Sequence, residues 1–411
     1  MGQSRLLAMV LALSGLLTGC GSSGTTGISE LGSSITVLAE LSSKADPIEQ
    51  ARVQELLQRE IKEFKRINPR LSIRFRAIPS DRLEQELNYR TQRGLGPDLL
   101  LLESNRDLIN LQEKVYISPV VLSNQEQSNF RSTYLGQLRY RGQQLAVPFV
   151  VIPALACFDR RQLPQSPQTL AAIIRLGQQN HSFGLNSSSD GLDEVMSGFG
   201  IELFHGKTAS STNNNQVLNA LQWYREANLQ PHISFVDNDE ELRQGLIAGR
   251  FEWIPCYSGW LPSLQKALGT NLGIAILPAG PGGPSKPLVR TPLWVFGAQS
   301  STRQRQIAKE FVMFTTNVVN QRGMALELGT VLPVNPSIEL PLKAYPTLAV
   351  MDAAIKNVTL TTLEQKHFLL QNAKKAGAWV NQVITGVQSP SAVAPKIQAL
   401  FEAMPTTGSQ P

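Results

Sequence analysis

Charged residues are scarce in this chain: Asp, Glu, Lys and Arg make up 17% of its 411 residues, against roughly 25% in an average soluble domain. With 42% of the residues hydrophobic, the chain can bury one or more sizeable cores, which excludes disorder as its resting condition. Histidine is rarer still, at four residues. His181, His205, His232 and His367 show no metal-ligand spacing, so neither a metal nor a cofactor is expected. His-Glu-x-x-His and Gly-x-Ser-x-Gly are both missing. The string from Gly200 to Gly206-Lys207-Thr208 has the ending of a phosphate loop, but five residues separate its glycines where about four are needed. A catalytic role therefore has no local support. No apolar run reaches the roughly 20 residues that span a bilayer.

Basic residues exceed acidic ones by a formal +6, yet they form no patch suited to nucleic acid. The densest basic run, Arg59 to Arg70, is interleaved with Glu60, Ile61, Glu63 and Phe64, the pattern of a solvated helix face over a core. Length predicts two or three domains, or two lobes built from one interrupted chain.

The amino terminus carries the most specific signal. Met1 to Arg5 holds one positive charge, Leu6 to Leu17 is apolar and too short to span a membrane, and Leu17-Thr18-Gly19-Cys20 follows. This reads as a secretory signal over residues 1–19, and the last four residues resemble a bacterial lipobox, with Cys20 as the acylated first residue of the mature chain. Residues 20–33, rich in Gly, Ser and Thr, read as a flexible tether. Two cysteines remain, Cys157 and Cys256. They are read either as one disulfide or as two buried thiols, since sequence does not give their separation.

Downstream, two element types alternate. Asp46 caps a helix with Pro47 in its first turn and Val53, Leu57, Ile61 and Phe64 on one face. Leu71 to Ala77 alternates as a strand, Leu83 and Leu87 mark a helix, and Leu99 to Leu102 is a continuous apolar run of the kind a central parallel strand shows. The alternation resumes after Pro148. It predicts strands at Leu155–Phe158, Phe251–Tyr257 and Pro292–Phe296, and helices at 167–178, 217–227, 240–248, around Ile307 to Phe314, around Leu363 to Leu370 and at 394–404. Such alternation argues for an α/β fold of mostly parallel sheets flanked by helices, with ligands beyond the carboxyl ends of the strands.

Six strings, in order, resemble the family 1 extracellular solute-binding proteins, the maltose-binding-like receptors of ABC importers. They are Gly96-Pro97-Asp98 before an apolar strand, Tyr140 to Pro148, Cys157 to Arg161, Leu246 to Arg250 leading to Ser258-Gly259-Trp260, Leu277-Pro278 with Gly280 to Gly283, and Gln321 to Pro333. The chain departs from the family pattern at Glu252, Trp253 and Pro255, and at Arg290-Thr291-Pro292, where a Gly-Gly pair is usual.

The resemblance implies a two-lobed, type II-like periplasmic-binding fold with the ligand cleft between the lobes. The first lobe would comprise residues 34–147 and 276–330, the second residues 150–272 and 335–405. It implies a monomeric, lipid-anchored, extracytoplasmic receptor that binds a di- or oligosaccharide or a polyol glycoside, serves a permease with its ATPase, and contacts no nucleic acid. Two alternatives stay open: the same fold with a glycerol-phosphate-type ligand, and a lipid-anchored glycosidase using Glu103 and Asp190. Sugar sites need aromatic faces with carboxylates, amides and hydroxyls. The candidates at the strand ends are Glu40, Ser42, Glu103, Ser104, Asn105, Ser187, Asp190, Tyr257, Trp260, Arg290 and Trp294. Trp223 and Trp253 are expected in the core. Arg290 is expected to pair with an acidic ligand, to bridge the lobes, or to face water.

Overall fold

The computed structural model describes residues 33–42, 45–103, 105–188, 195–201, 214–286, 289–358 and 360–405. The leader, Cys20, Ser104, Asp190 and the Gly206-Lys207-Thr208 string lie outside the described residues. Fifteen strands occur among those described. The first seven are β1 (Ser34–Leu41), β2 (Ser72–Pro79), β3 (Leu99–Leu102), β4 (Ile117–Ser118), β5 (Arg139–Tyr140), β6 (Gln143–Gln144) and β7 (Ala146–Pro148). The others are β8 (Val150–Val151), β9 (Ala154–Asp159), β10 (Phe183–Asn186), β11 (Ile233–Val236), β12 (Trp253–Tyr257), β13 (Leu272–Ala275), β14 (Leu293–Gly297) and β15 (Leu332–Pro333).

Two sheets organise the molecule. The first has the order β2-β1-β3-β14-β4, with β7 also paired to β14. β1 runs parallel to β2 and β3, and β14 enters antiparallel to β3. Every residue of β3 and β14 is buried, because helices cover both faces, which is why Leu99 to Leu102 shows no alternation. The second sheet has the order β11-β10-β12-β9-β13 and is mixed, with β9 antiparallel to both neighbours.

Local chemistry sets the element ends. Asp46 accepts hydrogen bonds from the Ile48 and Glu49 N–H groups at 2.8 and 3.1 Å and so opens the helix Pro47–Ile67. That helix buries Leu56, Leu57, Ile61 and Phe64. The Gly96-Pro97-Asp98 turn sits at the end of the first sheet away from the cleft. There Asp98 accepts from the Thr36 N–H at 2.7 Å and the Ser300 hydroxyl at 2.8 Å, tying β1, β3 and the segment after β14 together.

The chain crosses between the sheets three times. β8 pairs with β15, the Phe149 N–H donates to the Pro292 carbonyl at 2.8 Å, and the Ile152 N–H donates to the Arg290 carbonyl at 2.8 Å. Gln321, 1% exposed, joins the first and third crossings: its Nε2 donates to the Phe149 carbonyl, and its Oε1 accepts from the Val334 and Asn335 N–H groups.

Two expectations about the lobes need correction. The Gly/Pro-rich segment from Leu277 stays with the second sheet: Ala279 bridges to Thr169, and the Gly282 N–H donates to the Gly198 carbonyl at 2.9 Å. The return crossing comes later, at Val289–Pro292. A Cβ on Gly280 would lie 2.0 Å from the Gly198 carbonyl oxygen, so glycine is needed there for close backbone contact within one lobe. The helix Leu363–Thr385 also does not belong to one lobe alone. Leu363 joins the core cluster of the first sheet, while Val380, Val383 and Ile384 lie in the cluster that includes the second. Asp107 and His367 meet at 2.8 Å at its start, and Arg225 donates to the Ile384 carbonyl at 3.0 Å at its end.

The disulfide alternative holds: Cys157 and Cys256 are bonded across β9 and β12, with Cα atoms 5.9 Å apart and both side chains fully buried. Trp253 is a core residue, donating its indole N–H to the Ser166 hydroxyl at 2.9 Å. Trp223 is also buried and donates to the Leu170 carbonyl.

Candidate functional site: the cleft between the sheets

The carboxyl ends of β1, β3 and β12 converge on a partly open cleft of about 130 Å³. Its wall includes Glu40, Leu41 and Ser42 after β1, the first turns of the helix Pro47–Ile67, and Glu103 after β3. Phe149, Ile152, Arg290 and Pro292 come from the crossings, and Tyr257, Gly259 and Trp260 from the second lobe. Parallel strands aim their carboxyl ends at one edge of a sheet, and two such edges facing each other form this cleft.

Glu40 is a rim-building residue more than a free ligand group. It accepts from the Arg106 guanidinium at 2.7 Å and from the Glu103 N–H at 3.0 Å, while Arg106 also donates to the Ser80 carbonyl at 2.7 Å. These bonds tie together the ends of β1, β2 and β3 and present Glu103 to the cleft. Burial, assisted by the neighbouring Glu40 charge and opposed by Arg290 and Arg106, raises the Glu103 carboxyl to about 7. Burial likewise raises Glu49 to about 7, against a hydrogen bond from Thr330 and the charge of Arg52.

The lobes touch directly through charge. Asp46 Oδ2 lies 3.1 Å from Arg243 Nη1 on the helix Asp239–Ile247 and accepts from the Ser263 N–H at 3.2 Å. Arg290, on the return crossing, is engaged by the second lobe: its Nη2 is 3.2 Å from Asp239 Oδ2, and its guanidinium lies 3.4 Å over the Tyr257 ring. Asp239 is oriented in turn by the Asn186 amide at 3.0 Å.

Of the sequence candidates, Glu40, Ser42, Glu103, Tyr257, Trp260 and Arg290 come together around this space. Asn105, Ser187 and Trp294 do not line it. The Ser187 N–H is used by the Val236 carbonyl. Trp294 is fully buried between Phe149 and Phe311, with ring centroids 5.3 and 5.8 Å away. It sits on a strand covered on both faces, so no side of it reaches the cleft. Asp46, Glu49, Phe149 and Ile152 are wall residues that sequence reasoning missed. Asp46 and Glu49 were visible only as the cap and first turn of a helix, and nothing local marks the two apolar crossing residues. Among the described residues no group of three or more His, Cys, Asp or Glu could hold a metal ion, and no helix is long and apolar enough to cross a membrane.

Two α/β lobes, three crossings and one shared cleft define a two-lobed binding protein. The pattern of the bacterial extracellular solute-binding proteins matches residues 61–356, and the chain belongs to that family of binding proteins, which are not enzymes. No curated relative matches its sequence. Solved structures share the fold at low identity. The GacH receptor of Streptomyces glaucescens GLA.O, described unliganded and with acarbose, is 15% identical with a TM-score of 0.75 over 91% of this chain and 100% of its own. Maltose-bound MalE3 of T. maritima is 14% identical with a TM-score of 0.71 over 90% and 99%. The cyclic α-maltosyl-1,6-maltose binding protein of Arthrobacter globiformis is 11% identical with a TM-score of 0.75 over 90% and 98%.

Proposed function

We propose that the protein is the extracytoplasmic receptor of an ABC importer, held at the membrane by acylation of Cys20. It captures a sugar-type ligand, a di- or oligosaccharide or a polyol glycoside, by closing its lobes and hands it to a permease driven by an ATPase. The observation that carries this reading is the cleft whose wall is shared by both lobes and the crossings. A ligand there is wrapped from two sides, and closure is favoured only by contacts both lobes make with it. Neighbours of the same fold described with maltose, maltotetraose and α-D-tagatose support the ligand class. A phosphate-type ligand lacks support, because Arg290 is engaged by Asp239 and Tyr257. The glycosidase alternative has no support in a family of binding proteins.

A thermal-shift panel of mono-, di- and oligosaccharides tests the ligand class, since a ligand at 100 times its dissociation constant adds about 2.7 kcal/mol to stability. A panel without any shift would count against it. Replacing Cys20 with Ala should abolish diacylglyceryl labelling and release the protein from the membrane. Unchanged attachment without label on the wild type would contradict the anchor.

A further inference from the structure

Ser33, the first described residue, enters the first lobe at the end away from the cleft. Hydrogen bonds gather several segments around it. The Ser72 N–H donates to the Ser33 carbonyl at 2.9 Å and the Leu71 N–H to the Asn68 carbonyl at 3.0 Å, which brings the end of the helix Pro47–Ile67 beside the entry. Arg303 donates to the Ser33 hydroxyl at 3.4 Å, and Gln304 to the Ser34 carbonyl at 3.2 Å. Gln299 accepts from the Gly96 N–H at 2.9 Å and donates to the Thr91 carbonyl at 2.8 Å, which adds the turn after the helix Leu83–Thr91.

This end is basic, and two large apolar side chains stand out of it. Residues 62–72, 91–98 and 299–304 hold six Lys or Arg against two acids, Glu63 and Asp98. Asp98 is buried under the hydrogen bonds it accepts, and Glu63 pairs with Arg66 at 2.9 Å. Arg66, Arg70, Arg93 and Arg303 are exposed. Ile67 and Leu95 are 57% and 61% exposed. Cations ringed around protruding apolar side chains suit the headgroup layer of an anionic bilayer. Residues 20–32 number thirteen, so a lipid on Cys20 would hold Ser33 within roughly 45 Å of the bilayer surface. The basic end is therefore the part of the body that such an anchor keeps nearest the membrane.

We propose that this end of the first lobe is a lipid-contact face: Arg66, Arg70, Arg93 and Arg303 meet the phosphates of anionic phospholipids, while Ile67 and Leu95 enter the headgroup layer. The proposal rests on the reading of Cys20 as the acylated residue and goes beyond it, because it gives the anchored body an orientation. So oriented, the cleft edge of the first sheet faces away from the bilayer, toward incoming ligand. Each exposed Arg near an anionic surface is worth roughly fivefold in partition, and salt screens it. The contact is therefore reversible, as a receptor that must also turn to a permease requires.

Co-sedimentation with vesicles tests the face without help from the lipid anchor. The protein used is residues 20–411 with Cys20→Ala, which keeps every described residue. The vesicles are phosphatidylcholine alone, or equal parts of phosphatidylcholine and phosphatidylglycerol. At about 0.05 M salt the mixed vesicles should bind the protein at least tenfold better than the neutral ones, and about 0.5 M salt should abolish the difference. Arg66→Ser, Arg93→Ser and Arg303→Ser together should weaken binding to the mixed vesicles at least tenfold. Ile67→Ser with Leu95→Ser should weaken it several-fold. Arg160→Ser, Arg175→Ser and Lys266→Ser, which remove as many exposed cations from the second lobe, should leave it within about twofold. A melt of each variant checks that it folds. Equal binding to both vesicles, no binding to either, or an equal loss in the second-lobe variant overturns the proposal. Labelling of Cys20 reads the anchor separately. If label is found and the unacylated protein ignores anionic vesicles, the anchored receptor stands and the lipid-contact face falls. If the vesicles behave as expected and Cys20 carries no label, the face stands and the anchor falls.

Discussion

Asp46 and Arg243 meet at 3.1 Å from opposite lobes, with side chains 0% and 3% exposed. The same carboxylate caps the helix Pro47–Ile67 through its other oxygen, so one group serves both the local structure of the first lobe and its contact with the second. A lobe motion that parted this contact would expose both charges to water.

Replacing Asp46 by Asn keeps a good capping residue but removes the charge facing Arg243. Arg243 retains Glu240, so the loss should fall at or below the 3 to 5 kcal/mol typical of breaking a buried pair, at about 2 to 4 kcal/mol. Small-angle scattering should report a larger radius of gyration for the variant. Asp46→Ala should lose about 1 kcal/mol more, through the cap. An unchanged radius and melt in Asp46→Asn would remove the pair from the account of closure.

Glu49 and Glu103 make stability depend on pH in a definite direction. Both are raised from 4.5 to about 7 in the folded protein, so between those values the folded state binds more protons than the unfolded chain. Stability therefore falls as pH rises from about 4.5 to about 7 and levels off above, by about 1 to 3 kcal/mol per group. Glu103→Gln should flatten the profile and stabilise the protein at pH 8. Denaturant melts at pH 5 and pH 8 measure this, and a wild type more stable at pH 8 on account of these groups would contradict it.

Trp260 and Trp294 separate site from core. Both are buried, so truncating either to Ala should cost about 3 to 5 kcal/mol of folding stability. Only Trp260 lines the cleft, so only its loss should weaken binding beyond what the lowered stability explains, by roughly 5- to 150-fold. Milder Trp→Phe versions allow calorimetry on folded protein. Equal effects of the two on affinity would deny Trp260 its role.

The Cys157–Cys256 bond closes a loop with a sequence separation of 99, and its reduction should cost about 2 to 4 kcal/mol. Denatured, oxidised protein should offer neither of these two thiols to a titrant. Two titratable thiols would contradict the bond.

Much of the frame was legible in the sequence because it depends on local signals. Asp46-Pro47 announces a helix start, and Leu99 to Leu102 reads as a central strand because a strand covered on both faces needs no alternation. The same logic explains the failure at Trp294: an aromatic near a strand end looks like a platform unless the helices covering both faces of that strand are known. The resemblance puts the Gly/Pro-rich stretch from Leu277 in the first lobe, whereas its glycines serve close backbone packing against Gly198 and Gly200 of the second. The contact between Asp46 and Arg243 was illegible, because it joins groups far apart in the chain that meet only when two separately folded sheets face each other. The wall residues Phe149 and Ile152 look like any apolar strand residue until the crossings are placed.

The central claim, that the cleft between the lobes is the binding site, is tested most directly by thermal shift of the wild type and Glu103→Ala side by side with a panel of saccharides at pH 7. The account predicts that at least one compound raises the wild-type melting temperature. It predicts that Glu103→Ala, with a ligand-free melting temperature equal to or above that of the wild type, loses most of that shift. No shift with any compound, or an undiminished shift in Glu103→Ala together with a Trp260→Phe variant, would contradict it.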